Sequence, residues 1–255
     1  MKVTHWWKKL SAAVVASGIW VPNAYAVSIP LGDAGFETYV VPASPGYAYA
    51  ANPAGAYRVS PAPLSAWVDD LDAPAGYTQD NGASNWIYVS TYAEASATNK
   101  RPAPRTGNQA MHGLFNYSAQ ETSAVFEAGA TYTFSLWAQN DQLLDNSNGV
   151  FLYIFNGSLP FSDANSLAST LHTATIPQRA AGMTAAQSQA NWALISVAHT
   201  VAAGAPEIGQ PVGVGFFARR DSAVDDASLD VVPEPGTMLL VGMSGLTVLG
   251  LRRCR

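Results

Sequence analysis

The chain has a single cysteine, Cys254, next to its last residue. No disulfide can form within it, and no cysteine-based metal cage or cysteine nucleophile can be built upstream. Charge is scarce too, with Asp, Glu, Lys and Arg making up 12% of the residues. Basic residues are scarcest between the ends: from Val27 to Val232 there are seven Lys plus Arg against seventeen Asp plus Glu, a formal charge of −10 where the whole chain has −5. A surface of that sign repels nucleic acid and anionic lipid. No segment repeats at a fixed period, which argues against a propeller or solenoid. There is no G-x-S-x-G elbow, and His112, His172 and His199 lack metal-ligand spacing with one another or with a neighbouring carboxylate. Long apolar runs are missing everywhere except at the two ends.

Those ends are therefore informative. Lys2, Lys8 and Lys9 precede an apolar run over 10–21, followed by the small-x-small triplet Ala24-Tyr25-Ala26. This is the layout of a signal peptide over residues 1–26, cut after Ala26, which implies the Sec translocon and signal peptidase as partners. His5, Trp6 and Trp7 then have no role in the mature protein. At the other end, Pro233-Glu234-Pro235 is followed by an uncharged run over 237–251 and by Arg252, Arg253 and Arg255. Each proline fixes its own φ and holds the residue before it extended, so the triplet projects as a stiff polar handle. As a helix, the fifteen-residue run would span about 23 Å at roughly 1.5 Å per residue, short of a ~30 Å hydrocarbon core. It is a marginal transmembrane anchor that needs its arginines to snorkel to the headgroups. The positive-inside rule places those arginines in the cytoplasm and the rest of the chain outside the inner membrane.

Val232-Pro233-Glu234-Pro235-Gly236, the apolar run and the terminal arginines together resemble the PEP-CTERM sorting signal of exported Gram-negative proteins. The resemblance implies recognition by exosortase, a membrane-embedded cysteine-type transpeptidase. It would remove the tail near the Pro-Glu-Pro and pass the protein on to the cell surface or exopolysaccharide matrix, a biofilm setting. Val232, Pro233, Glu234, Pro235, Gly236, Arg252 and Arg253 are the recognition residues on this reading, and 232–255 is the signal. The competing reading is an ordinary single-span anchor with a Pro-rich linker.

Between the ends, one domain over 27–231 has enough residues for a sizeable core. Frequent Gly, Ala, Ser, Thr and Pro, with short aromatic and β-branched runs, point to an all-β domain. The clearest strand is 131–139, where Tyr132, Phe134, Leu136 and Ala138 alternate with more polar positions. With a strand over 122–126 and a turn over 127–130, it reads as a hairpin. The run 150–155 reads as a strand buried on both faces. Alternation marks 193–201, 212–218 and 227–231; 27–31 is a candidate first strand, and 86–91 and 108–114 are weaker ones. Helix is expected only over 163–171 and 184–191, and the Pro/Tyr-rich stretch 42–63 reads as a loop or edge. Some eight strands separated by turn residues make a sandwich or jelly roll.

Gly35-Phe36-Glu37, Gly107-Asn108-Gln109-Ala110, the run from Glu127 to Ser135, Trp192, and Val224-Asp225-Asp226-Ala227-Ser228-Leu229 resemble, in that order, the galactose-binding-like jelly roll of carbohydrate-binding modules. The chain departs from it in the long insertion after Glu37 and over 156–183. The resemblance implies a structural calcium ion tying the first strand to the last. Asp33, Glu37, Asp225 and Asp226 would supply hard oxygen ligands, of which Ca²⁺ takes six to eight. The alternative is that Asp225-Asp226 is a solvated turn and Glu37 an exposed edge residue.

Sugar binding uses aromatic faces and a few polar groups. Tyr47, Tyr49, Tyr57, Trp67, Trp86 and Tyr88 are glycan-contact candidates, set against the ordinary fate of aromatics in a β protein, which is the core. Asp69, Asp70 and Asp72 form an acidic cluster, but a glycosidase needs a second carboxyl about 5–10 Å away, which a sequence cannot place. No catalytic residue is assigned. Two functions follow: a non-enzymatic surface or matrix protein associating with exopolysaccharide, or a secreted polysaccharide hydrolase or lyase.

Overall fold

In a computed structural model the chain is described for residues 25–38, 41, 47–48, 67–70, 86–96, 100–113, 116–142, 149–157, 166–218 and 222–233. Ala26–Val232 forms one compact unit, and Met1–Tyr25 with Pro233–Arg255 falls outside it. Among the described residues every buried core residue lies within Ala26–Val232, so that unit has the closed core of a segment able to fold alone.

The strands are β1 (Val27–Ile29), β2 (Tyr47–Ala48), β3 (Val68–Asp70), β4 (Trp86–Val89), β5 (Gln109–Gly113), β6 (Asn116–Val125), β7 (Thr131–Asn140), β8 (Val150–Asn156), β9 (Ser166–His172), β10 (Ala193–Thr200), β11 (Pro211–Ala218) and β12 (Ser222–Val232). Among the described residues there are also two short helices, α1 (Ser90–Glu94) and α2 (Ala185–Gln189). One sheet runs β10-β7-β12-β5-β4-β2, with β1 also on β12, and the second runs β3-β6-β11-β8-β9. They stack as an all-β jelly-roll sandwich. Phe36, Trp67, Phe134 and Phe216 meet in the middle, with Trp67 centred 5.3 Å from Phe216 and 6.1 Å from Phe134.

Alternation explains most of this. In β7, Tyr132, Phe134, Leu136 and Ala138 are all buried. In β11, Val212, Val214, Phe216 and Ala218 enter the main core, and Phe217 joins an aromatic cluster with Tyr117, Tyr153 and Phe155 on the other face of that sheet. Gly213 is required there, because a Cβ at that position would run into the Phe155 ring.

Three expectations are corrected. β6 and β7 do not form a hairpin, since β6 pairs with β3 and β11 in one sheet and β7 with β10 and β12 in the other. Residues 127–130 carry the chain between layers. Phe126 and Tyr132 both turn into the core there, 5.1 Å apart, which stacks the two strands face to face instead of side by side. The Tyr132 hydroxyl pins the corner by donating to Val125 O at 2.8 Å and accepting from Glu127 N at 3.0 Å. Second, Ser166–His172 is an edge strand and not part of a helix, because its pairing with β8 outweighs a weak local preference. Third, the strand expected to reach residue 91 stops at Val89, and α1 follows. The helix expected over 184–191 is present as α2, opened by a capping box between Thr184 and Gln187.

Candidate functional site

Two polar constructions stand out. The first lies where the chain's two ends meet. β12 bulges between Asp225 and Ser228 relative to β7, and Asp226 takes the left-handed conformation at φ 47, which Asp tolerates better than most residues. The turn at 33–37 docks on this bulge, with Ala227 N donating to Ala34 O at 2.9 Å.

The loop 105–109 clamps both. Arg105 N donates to Asp225 Oδ2 at 2.8 Å, Arg105 Nη1 to Asp226 Oδ2 at 2.5 Å and Thr106 Oγ1 to Asp226 Oδ1 at 2.7 Å. Asn108 N and Gln109 N donate to Glu37 Oε1 at 2.8 and 2.7 Å. Gly107, at φ +57, lies directly beneath the Glu37 carboxylate, where a Cβ would collide with it. The Arg105 guanidinium also sits 3.7 Å from the centre of the Trp137 ring, a cation–π contact. Asp225 is fully buried. Burial, reinforced by the neighbouring Asp226 charge, pushes its pKa up to about 8.

Asp33, Glu37, Asp225 and Asp226, the four acids named as possible calcium ligands, lie around this corner. One observation fits a cation there, since Asp33 Oδ2 is buried with no hydrogen-bond partner. The rest does not. Asp225, Asp226 and Glu37 already take backbone or guanidinium donors, and among the described residues no three His, Cys, Asp or Glu side chains are grouped to hold a metal.

The second construction covers the outer face of the sheet containing β5, β7 and β12. Arg101 pairs with buried Asp141 and lies 2.7 Å from His112 Nε2. Arg179, fully buried, reaches Glu94 Oε1 at 2.5 Å, Met183 O at 3.1 Å and Arg101 O. Lys100 completes the group at 2.8 Å from Glu94 Oε2. Burial works against the Glu94 carboxylate, but hydrogen bonds from Lys100 and Arg179 outweigh it and hold its pKa below the usual range. Neutral bonds extend the network: Ser188 Oγ donates to Gln139 Oε1 and accepts from Ala103 N, and Trp192 Nε1 donates to Ala103 O. Every basic residue among the described ones, Lys100, Arg101, Arg105 and Arg179, is in an ion pair. Sequence reading missed this network. The available signal was the clustering of Lys100, Arg101 and Arg105 around Pro102 and Pro104 in a body otherwise poor in basic residues.

Other candidates are dispersed. Trp67 lies between the sheets, Nε1 bonded to Asp33 O, and shows no ring face to solvent. Tyr88 is buried beneath α1, its hydroxyl donating to Pro102 O at 2.7 Å, and burial pushes its phenol up. Neither ring is placed to stack on a glycan, because each satisfies the core. Tyr47 and Trp86 lie in β2 and β4, opposite Tyr88 and His112, while Tyr49, Tyr57 and Asp72 lie outside the described residues. Asp69 and Asp70 are in β3, opposite Ser118 and Tyr117. His172 Nε2 lies 3.0 Å from Ser196 O, and His199 Nε2 is 3.0 Å from Glu207 Oε1.

The chain's ends share one ladder. Val27 pairs with Val231, and Val232 pairs with Thr131. Of the processing residues, Ala26 is exposed just before β1, Val232 closes β12 and Pro233 follows it. Ala24, Glu234, Pro235, Gly236, Arg252 and Arg253 lie outside the described residues, as do the apolar runs. Among the described residues no helix is long and apolar enough to cross a membrane.

Residues 231–255 match the PEP-CTERM protein-sorting motif. The chain carries a PEP-CTERM sorting signal. That motif implies an exported, exosortase-processed protein, and it begins inside β12. No curated protein matches the chain. Among solved structures, a cyclase from Fischerella sp. TAU is 15% identical, with a TM-score of 0.56 over 82% of this chain and 99% of its own. The same organism's cyclase in complex with 4-(1H-indol-3-yl)butan-2-one is 16% identical, with a TM-score of 0.54 over 82% and 98%. The CBM22-1 xylan-binding domain of Xyn10C from Paenibacillus barcinonensis overlaps less, at 9% identity and a TM-score of 0.35 over 65% and 92%. The likeness to the cyclases is one of fold: the PEP-CTERM cargo is a jelly-roll sandwich.

Proposed function

We propose that this PEP-CTERM protein is a non-enzymatic component of the cell surface or extracellular matrix that associates with exopolysaccharide. The observation that carries the reading is the overlap of signal and strand. Val231 and Val232 belong to both the sorting motif and β12, so the cargo handed to exosortase is the sandwich itself with no further module between. The ionisable groups under the outer face of the β5–β7–β12 sheet support a structural role for that region, because they are committed to one another. At the acidic corner, Arg105 donates to both Asp225 and Asp226. On this reading the signal peptide, signal peptidase and the Sec translocon deliver the chain across the inner membrane. The tail anchors it there, arginines inward, until exosortase acts.

The test uses the isolated Ala26–Val232 unit and a panel of polysaccharides. The expected result is retention on at least one acidic or neutral exopolysaccharide without release of reducing ends or unsaturated products. Product release would replace the reading with a polysaccharide hydrolase or lyase, and absence of both retention and product would remove the glycan. Export is tested separately by fractionating cells: the tail-less form is expected outside the inner membrane, and replacing Pro233 and Pro235 should trap the full-length form.

A further inference from the structure

β10 is an end strand of its sheet, and it differs from every other described sheet edge. β2 is two residues long. β1 is three residues long. β3 has three residues, two of them Asp69 and Asp70. β9 carries a register shift against β8. Short length, charge and irregularity are the devices that keep sheet edges from pairing with other chains. β10 has none of them. It runs for eight residues in unbroken register with β7, and Ala193–Thr200 contains no proline, lysine or acidic residue.

Its free side is laid out for pairing. Val201 N donates to Ala130 O at 3.0 Å, continuing the β10–β7 register. Odd-numbered residues therefore bond to β7, and the N–H and C=O groups of Leu194, Ser196, Ala198 and Thr200 turn away from it. On that side His172 Nε2 of β9 lies 3.0 Å from the Ser196 carbonyl, so pairing there requires the imidazole to swing away. All four residues are exposed, Leu194 at 55%, while Ile195 and Val197 fill the core beneath.

We propose that β10 is a self-association strand whose partner is the β10 of a second copy of this chain, paired antiparallel about Val197. A row of outward N–H and C=O groups selects an extended strand as its occupant. Two copies related by a twofold axis through Val197 would place Leu194 opposite Thr200 and Ser196 opposite Ala198. This register matches the residues whose backbone groups face outward and sets no like charges against each other. Elsewhere the body is strongly acidic and repels its twin, so the uncharged edge is where two copies can close. The joined sheets would run continuously through both sandwiches.

The experiment is analytical ultracentrifugation of Ala26–Val232 at rising concentration and at two salt concentrations, with hydrogen exchange at Ser196, Ala198 and Thr200. A concentration-dependent dimer is expected that strengthens with salt, as screening relieves acidic self-repulsion. The three amides should slow at least tenfold on association. Ala198→Pro removes an outward N–H without touching the β7 ladder, and Ser196→Lys adds a charge to the exposed face. Each should give a monomer at concentrations where the parent is dimeric. Their unchanged melting temperatures would show that folding is intact, and Ser196→Lys keeps the test valid should Ala198→Pro fail to fold. A monomer at the highest attainable concentration, a dimer that survives Ser196→Lys, edge amides that exchange equally fast in the dimer, or an association that weakens with salt would each overturn the proposal.

Discussion

Asp225 holds a proton near neutral pH that an unfolded chain would release. Its carboxyl titrates at about 8 in the fold against ~3.9 for a free Asp. Between those values the folded chain binds the extra proton, so this group's contribution to stability is complete below about pH 4 and is lost as the pH rises through about 8. The melting temperature of the body should therefore fall by several degrees between about pH 5 and 8, each ~1 kcal/mol being worth roughly 2–4 °C at this size. In Asp225→Asn that part of the slope should vanish, and equal slopes in the two proteins would refute the assignment. Arg105 is the second test at this corner. Arg105→Ala strips a cation from Asp226 and the cover from Trp137, and should cost about 1–3 kcal/mol in urea unfolding. A chelator should leave the parent's melting temperature unchanged, whereas a drop would show that calcium and not Arg105 holds the corner.

The strand that best shows how local pattern and tertiary contact divide the work is β11. Its alternating Val212, Val214, Phe216 and Ala218 were legible as a core-facing row, and they are one. The role of the intervening glycines was not legible, because it depends on Phe155, far away in the chain. Gly213→Ala should cost about 1–3 kcal/mol through overpacking. Combining it with Phe155→Leu should cost less than the sum of the two single changes, since the replacements share one space. Additive losses in a denaturant double-mutant cycle would place the ring elsewhere. The same limit explains the misread hairpin: residues 127–130 suit a tight turn, and only the inward demand of Phe126 and Tyr132 sends the next strand to the opposite sheet. β9 was hidden because an edge strand with half-exposed positions has little periodic signal. The nearness of Glu37 and Asp226 at the acidic corner follows from the docking of the 33–37 turn on β12, which no local pattern displays. Their partner Arg105 was not legible either, because nothing in the spacing predicts which of the few cations will reach the corner.

At the scale of the whole molecule, the fold closes at Val232. Removing 233–255 should leave the melting temperature of the mature body unchanged. A further cut that removes Val231 and Val232 takes away pairs to Val27, Tyr132 and Thr131 and should lower it measurably. Equal stability of the two truncations would mean that the sorting motif and the sandwich are independent after all.

The ladder that joins Val27 to Val231 also decides how the molecule is displayed. On the proposed reading, in which a leader ending at Ala26 and the tail after Val232 are removed, the two new ends would emerge side by side. The buried ion network of Arg101, Asp141 and Arg179 is gathered at the Ser222 end of β12, roughly 30 Å away at ~3.3 Å per residue. If the molecule is tethered by its last strand, as proposed, it would turn that end toward its surroundings. On that reading an epitope tag at Val27 would be shielded at the point of attachment from antibody on intact cells.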